Sequence, residues 1–216
     1  MSSPWERIPL DDYENHMKLS TVQQLQKLNE IMKSQIDKYN IETVAILGVA
    51  GGNGLEHIDC SKIKVVYGID INQDYLDVCK EKYKNLDDYL VLKKLDLADI
   101  ANDLPVADII IANLFIEYIG IDMFIKQLSK KVPPFVSCVI QKNLDINFVS
   151  DSPYTEVFEE ISLLHRNIDK NSLVNAMSTI GYSLIIFEEH LLPNMKEFIR
   201  LDFTNNKIVV RHSNVV

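Results

Sequence analysis

Cysteine is scarce in this chain. Its 216 residues hold only Cys60, Cys79 and Cys138, widely spaced and odd in number. That excludes a disulfide framework and a CxxC metal pattern, and points to reduced, mostly buried thiols. HEXXH spacing is also missing, so no metal site is expected. No apolar run approaches the roughly 20 residues a membrane span requires. The first residues, MSSPWERIPLDDYENHMK, lack the apolar stretch of a secretory signal, so a cytoplasmic location is expected. Basic residues are in deficit, 22 Lys and Arg against 31 Asp and Glu, for a net charge of −9. Phosphate backbones are bound by clustered Lys and Arg, so no nucleic-acid partner is expected. The short KEKYK run at 80–84 reads as a solvated helix face.

Glycine is scarce too, with seven in all, yet four of them stand between 48 and 54. The stretch AILGVAGGNGLEHI joins an apolar strand to this cluster and then to a helix start. Without a Cβ, Gly48, Gly51, Gly52 and Gly54 allow positive φ and close approach of a nucleotide-like ligand to the main chain. A second signal follows in KVVYGIDIN, where Val65, Val66 and Ile69 end at Asp70. Gly48 and Asp70 are 70 − 48 = 22 positions apart. In doubly wound α/β sheets an acid about 20 positions after the glycine turn accepts hydrogen bonds from ribose hydroxyls. The competing reading of Asp70 is a turn former or helix cap, roles that acids often fill.

The remainder has the rhythm of one α/β domain spanning 1–216, with a composition, 47% hydrophobic and 25% charged, ordinary for a globular protein. Met17, Val22, Leu25, Leu28, Ile31, Met32 and Ile36 recur near a helical period and predict a covering helix over 17–38, within an N-terminal cover or lid at 1–40. In the core, 41–216, strands are predicted at 43–49, 64–70, 89–95, 107–113 and 135–141, with helices between them at 73–85 and 121–131. Pro133-Pro134 marks a loop before the fifth strand. A helix at about 170–180 stops at Gly181. YSLIIFEE and KEFIRLDF are two last strands whose short link, HLLPNM, permits a hairpin; a parallel crossover takes a dozen or more residues, so the two are expected to pair antiparallel or nearly so. The fold class expected is therefore α/β: a doubly wound, Rossmann-like, seven-stranded and mostly parallel sheet. It ends in an antiparallel hairpin strand and carries helices on both faces.

With these features the chain resembles the class I S-adenosylmethionine-dependent methyltransferases from about Thr43 onward. The resemblance implies S-adenosylmethionine as cofactor, and it implies that Ala50-Gly51-Gly52-Asn53-Gly54, entered through Gly48 and Val49, fills the G-x-G-x-G turn that holds the cofactor's methionine part. The first glycine of that turn is alanine here, and the acid often found two positions before it is Gly48. Asp70 matches the acid that holds the ribose diol, with Ile71 as an apolar face for adenine. Asp96 in KKLDLADI matches the acid near the adenine amino group, with Leu97 beside it. Asp99 and Asp103 lie close to Asp96, and a plain surface acid is its competing reading.

Asn113 and Leu114, at the end of the fourth strand, fall at the mouth where the family transfers its methyl group. Glu117 and Tyr118 follow as candidate substrate contacts, or as packing and dipole complement at a helix start. The N-P-P-Y signature of enzymes that methylate nucleic-acid amino groups is absent, because Asn113 is followed by Leu114-Phe115-Ile116. A small-molecule methyl acceptor is expected. His165 sits where the family builds substrate-facing loops and is a candidate base or a structural residue. Tyr13 and His16 in the N-terminal segment are candidates for contact with the bound molecules. No fixed catalytic residue is implied, since positioning and desolvation can carry in-line methyl transfer. Among alternatives, a dinucleotide oxidoreductase needs a third glycine where His57 stands. An aminopropyltransferase, which AGGNG also resembles, needs an acid where Ala112-Asn113 stands. A non-catalytic cofactor-binding or regulatory protein of the same fold is the remaining reading.

Overall fold

A computed structural model describes residues 3–144, 149–150 and 152–205. In β1 (Thr43–Leu47), Val44 and Ile46 pack into one core while Ala45 and Leu47 pack into another. A strand apolar on both faces belongs at the centre of a sheet covered on both sides. β2 (Val65–Asp70), β3 (Leu90–Lys94), β4 (Ile109–Asn113) and β5 (Phe135–Asn143) extend it in parallel. β6 (Tyr182–Leu191) and β7 (Lys196–Asn205) complete seven strands in the order β3-β2-β1-β4-β5-β7-β6. β7 runs antiparallel to both its neighbours, β5 and β6. The link 192–195 is too short for a crossover, which forces the reversal.

The helices are α1 (Leu10–Lys18), α2 (Gln24–Asp37), α3 (Gln73–Lys82), α4 (Ile116–Ile119), α5 (Ile121–Lys131), α6 (Glu159–Ser162) and α7 (Lys170–Thr179). Met32 and Ile36 of α2 join Leu76 and Cys79 of α3 against one sheet face. Phe124 and Leu128 of α5 join Leu173 and Met177 of α7 against the other. Local chemistry sets the helix starts. Asn72 caps α3 by accepting from the N–H groups of Asp74 and Tyr75, and Asp169 caps α7 by accepting from Ser172. No helix among the described residues is long and apolar enough to cross a membrane.

The predicted helix over 17–38 is a correction: the chain forms two helices there, α1 ending at Lys18 and α2 beginning at Gln24. Val22 is fully buried, so it continues the apolar period across a tight turn in which Gln23 takes a positive φ of 54°. The first strand stops at Leu47, not at 49, because Gly48 and Val49 already turn to donate to the Ile69 carbonyl at 2.8 and 3.0 Å. The helix predicted over 73–85 ends at Lys82 and passes into a short 3-10 turn at Lys84–Leu86. The fourth strand starts at Ile109, and the last three strands each run two residues past their predicted ends.

The chain builds β1, β2 and β3 outward in one direction, then returns to place β4 on the other side of β1. Strand order reverses between β1 and β4, and in open α/β sheets the crevice at such a reversal, beyond the carboxyl ends, is where ligands bind. Gly48, Asp70 and Asn113 all lie at that edge.

Candidate functional site

Asp70 organises the first half of the site. Its Oδ2 accepts from the Ala50 N–H and its Oδ1 from the Asn72 N–H, both at 2.9 Å, so one carboxylate ties the glycine turn to the start of α3. Burial pushes its pKa up, against the lowering effect of these backbone donors. Gly48, Gly52 and Gly54 take positive φ, at 70°, 84° and 95°. The fourth positive angle falls on Ala50, at 47°, where the family pattern has glycine. Gly51 keeps an ordinary angle. A Cβ there would meet the flexible side-chain ends of Glu14 and Leu10, both on α1. A Cβ on Gly52 would strike the Tyr83 ring at 2.6 Å. The turn is thus closely covered, by α1 above and α3 behind.

The other expected cofactor contacts are placed unevenly. Val49 is buried in the core on the α2 and α3 side, while Ile71 is half-buried beside Asp70. Asn53 belongs to the α2 interface, donating to the Leu25 carbonyl and accepting from Asn29, both at 2.9 Å. Asp96 is exposed, and its Oδ1 accepts from the Ala98 N–H at 2.9 Å to form a local turn, with Leu97 buried beneath. Asn113 forms a reciprocal amide pair with Gln35 of α2, each donating to the other at 2.9 Å, so its side chain binds the cover. Leu114 takes a positive φ of 52° and donates from its N–H to the Val139 carbonyl at 2.8 Å.

Beside Leu114 a cavity of about 60 Å³ lies beneath the N-terminal segment. Tyr13, His16, Glu117, Tyr118 and His165, all singled out by sequence, line it together with Trp5, Gln24, Gln141 and Phe158. Trp5 stands edge-on to Tyr118 and to Tyr13, with ring centres 4.8 and 5.9 Å apart. His16 packs on Phe158 and shares a hydrogen bond of 2.8 Å between its Nδ1 and the Ser152 hydroxyl. Burial pushes the pKa of His16 down, and that of His165 down to about 4, so both rings are neutral at physiological pH. Glu117, 1% exposed, enters from α4. Its Oε1 accepts from the Gln141 N–H at 2.8 Å, and its Oε2 has no hydrogen-bond partner among the described residues. Burial pushes its pKa up to about 7.

Sequence reasoning missed Glu14, Gln24, Gln35 and Gln141. Polar residues on helices and strand ends usually face water, and nothing in their spacing separates these four from solvated neighbours. Among the described residues no group of three or more His, Cys, Asp and Glu could hold a metal ion.

The strand order and the antiparallel seventh strand are shared with solved structures of the class I S-adenosylmethionine-dependent methyltransferase fold. Magnesium protoporphyrin IX methyltransferase from Synechocystis, solved with S-adenosylhomocysteine, is 11% identical with a TM-score of 0.61 over 94% of this chain and 93% of that one. An O-methyltransferase family protein from Burkholderia thailandensis is 12% identical with a TM-score of 0.62, covering 91% of this chain and 59% of that one. The cyclase SpnF is 10% identical with a TM-score of 0.61 over 89% and 85%. At these identities the likeness is one of fold. No family model and no curated protein sequence matches the chain.

Proposed function

We propose that the protein binds S-adenosylmethionine and transfers its methyl group to a small-molecule acceptor. The observation that carries this reading is Asp70, a buried carboxylate at the carboxyl end of β2 whose two oxygens already fix the glycine turn and the start of α3. In this reading Gly48 to Gly54 cradle the methionine part, Asp70 receives the ribose hydroxyls, Ile71 and Leu97 flank the adenine, and Asp96 reaches its amino group. The main chain at Asn113 and Leu114 faces the reacting end. Charge-assisted hydrogen bonds of the Asp70 kind contribute roughly 1.5 to 3 kcal/mol each. The cofactor supplies an electrophilic methyl on a sulfonium. The chain's own part is to orient the acceptor, exclude water and hold the acceptor's proton.

Residues 1–40 serve as a cover and 41–216 as the core of one domain, acting in the cytoplasm without nucleic acid as substrate. Support for a small acceptor comes from the aromatic cavity beside Leu114 and from the excess of acidic over basic residues. The same fold carries a cyclase, SpnF, so fold alone does not decide the reaction. Incubation with S-adenosylmethionine and the small-molecule fraction of a cell extract, read as S-adenosylhomocysteine formed over time, tests catalysis. Formation that requires the extract is expected. None in a protein that binds the cofactor would leave the non-catalytic reading standing.

A further inference from the structure

We infer that the acceptor is a small amine, held and deprotonated by Glu117. The inference rests on the methyl-transfer reading and deepens it. Glu117 is almost wholly buried and is one of the residues lining the cavity; one of its oxygens is fixed by the Gln141 N–H, and the other is buried with no hydrogen-bond partner among the described residues. Leaving a carboxylate oxygen so placed is costly unless a donor meets it. Four of the lining residues, Trp5, Tyr13, Tyr118 and Phe158, are aromatic, and the face of an aromatic ring attracts a cation. Among the described residues that line the cavity, none is Lys or Arg. An anionic acceptor would lose its hydration there and meet a second negative charge. An ammonium meets a carboxylate and aromatic side chains instead.

The chemistry balances within this site. The ammonium N–H bond breaks, its electron pair stays on nitrogen, and the proton passes to Glu117 Oε2. The freed nitrogen pair then forms the N–C bond to the methyl group while the C–S bond breaks toward sulfur, so nitrogen regains its positive charge and sulfur loses its own. Glu117 returns its proton to solvent as the product leaves.

The groups that face Glu117 leave this proton transfer to it. His16 from α1 and His165 from the segment after α6 are held neutral by burial. Tyr13 and Tyr118 are pushed up in pKa, as is Cys138 on β5, so all three stay protonated. The Arg166 guanidinium is turned to the Tyr118 carbonyl, at 3.1 Å.

The chain's one tryptophan, Trp5, reports directly on the cavity. Isobutylamine, isobutanol and isobutyrate share a branched body and differ in headgroup, and each is titrated against Trp5 fluorescence with and without S-adenosylhomocysteine. At pH 8 the amine is expected to bind at least about tenfold more tightly than the alcohol or the acid, and Glu117→Gln is expected to remove the preference. In the wild-type protein the amine's affinity is expected to fall about tenfold from pH 8 to pH 6, following the ionised fraction of a group titrating near 7. That profile stands by itself if the variant fails to fold. Equal affinities, a preference for isobutyrate, no saturable signal from any probe, or a flat pH profile would overturn the inference. If S-adenosylhomocysteine fails to bind while the amine preference holds, the methyl-transfer reading falls. If it binds and the preference is missing, only the assignment of the acceptor falls.

Discussion

Glu117 carries a stability cost that can be measured apart from catalysis. Its pKa is about 7 when folded against an ordinary 4.5, with burial as the cause. Between those values the folded protein holds a proton that the unfolded chain has released. Stability from this group therefore falls as pH rises through that window and is lowest above 7. Glu117→Gln is expected to be more stable than wild type by up to about 3 kcal/mol at pH 8, at 1.36 kcal/mol per pKa unit, and by little near pH 4.5. Urea denaturation at the two pH values checks this, and His165, lowered in both proteins, cancels from the difference. Gly52 is the complementary case, a residue whose small size is structural. Gly52→Ala would place a Cβ 2.6 Å from the Tyr83 ring at a φ of 84°. A loss of about 1–3 kcal/mol is expected in thermal unfolding. Asp70 and the glycines were legible in the sequence because their chemistry is local to a strand end. Glu14 was not, because only the folding of α1 brings it over Gly51.

At the scale of elements, α2 is tied to the sheet by a polar chain as well as by its apolar face. Gln35 pairs with Asn113 at the end of β4 and donates to Ser137 of β5 at 2.8 Å. Ser137 in turn donates to Asp202 on β7. Arg200 meets Asp202 through two hydrogen bonds, at 3.0 and 2.7 Å, and Tyr39 donates to the same carboxylate at 2.7 Å. Arg200 and Asp202 are both 1% exposed or less, so removing Arg200 leaves Asp202 as a buried carboxylate without its cation. Arg200→Met is expected to cost about 3–5 kcal/mol, seen as a lower urea midpoint at unchanged slope. The seven strands and the closing hairpin could be read from apolar runs and link lengths. The break between α1 and α2 could not, because Val22 keeps the helical period while sitting in a turn. The polar tie was hidden for a related reason: a helix glutamine and an Arg–Asp pair two apart on a strand carry no mark of burial in sequence alone.

Across the whole molecule, the glycine turn and the aromatic cavity meet under the N-terminal segment. Leu10 and Glu14 of α1 cover the glycine turn, while Tyr13 and His16 of the same helix line the aromatic cavity. The Asn72 side chain donates to the Trp5 carbonyl at 2.9 Å, which joins that segment to the start of α3. A cover that touches both the turn and the cavity places the proposed cofactor and acceptor sites side by side at the strand reversal. In the proposed function this crevice takes S-adenosylmethionine through Asp70. Calorimetric titration with S-adenosylmethionine, S-adenosylhomocysteine and NAD, repeated on Asp70→Ala, tests it most directly. Binding of the first two and not of NAD is expected, weakened by about tenfold or more in the variant, since each 1.4 kcal/mol is a decade in affinity. Binding of NAD alone, or an affinity for S-adenosylhomocysteine unchanged in a folded Asp70→Ala protein, would contradict it.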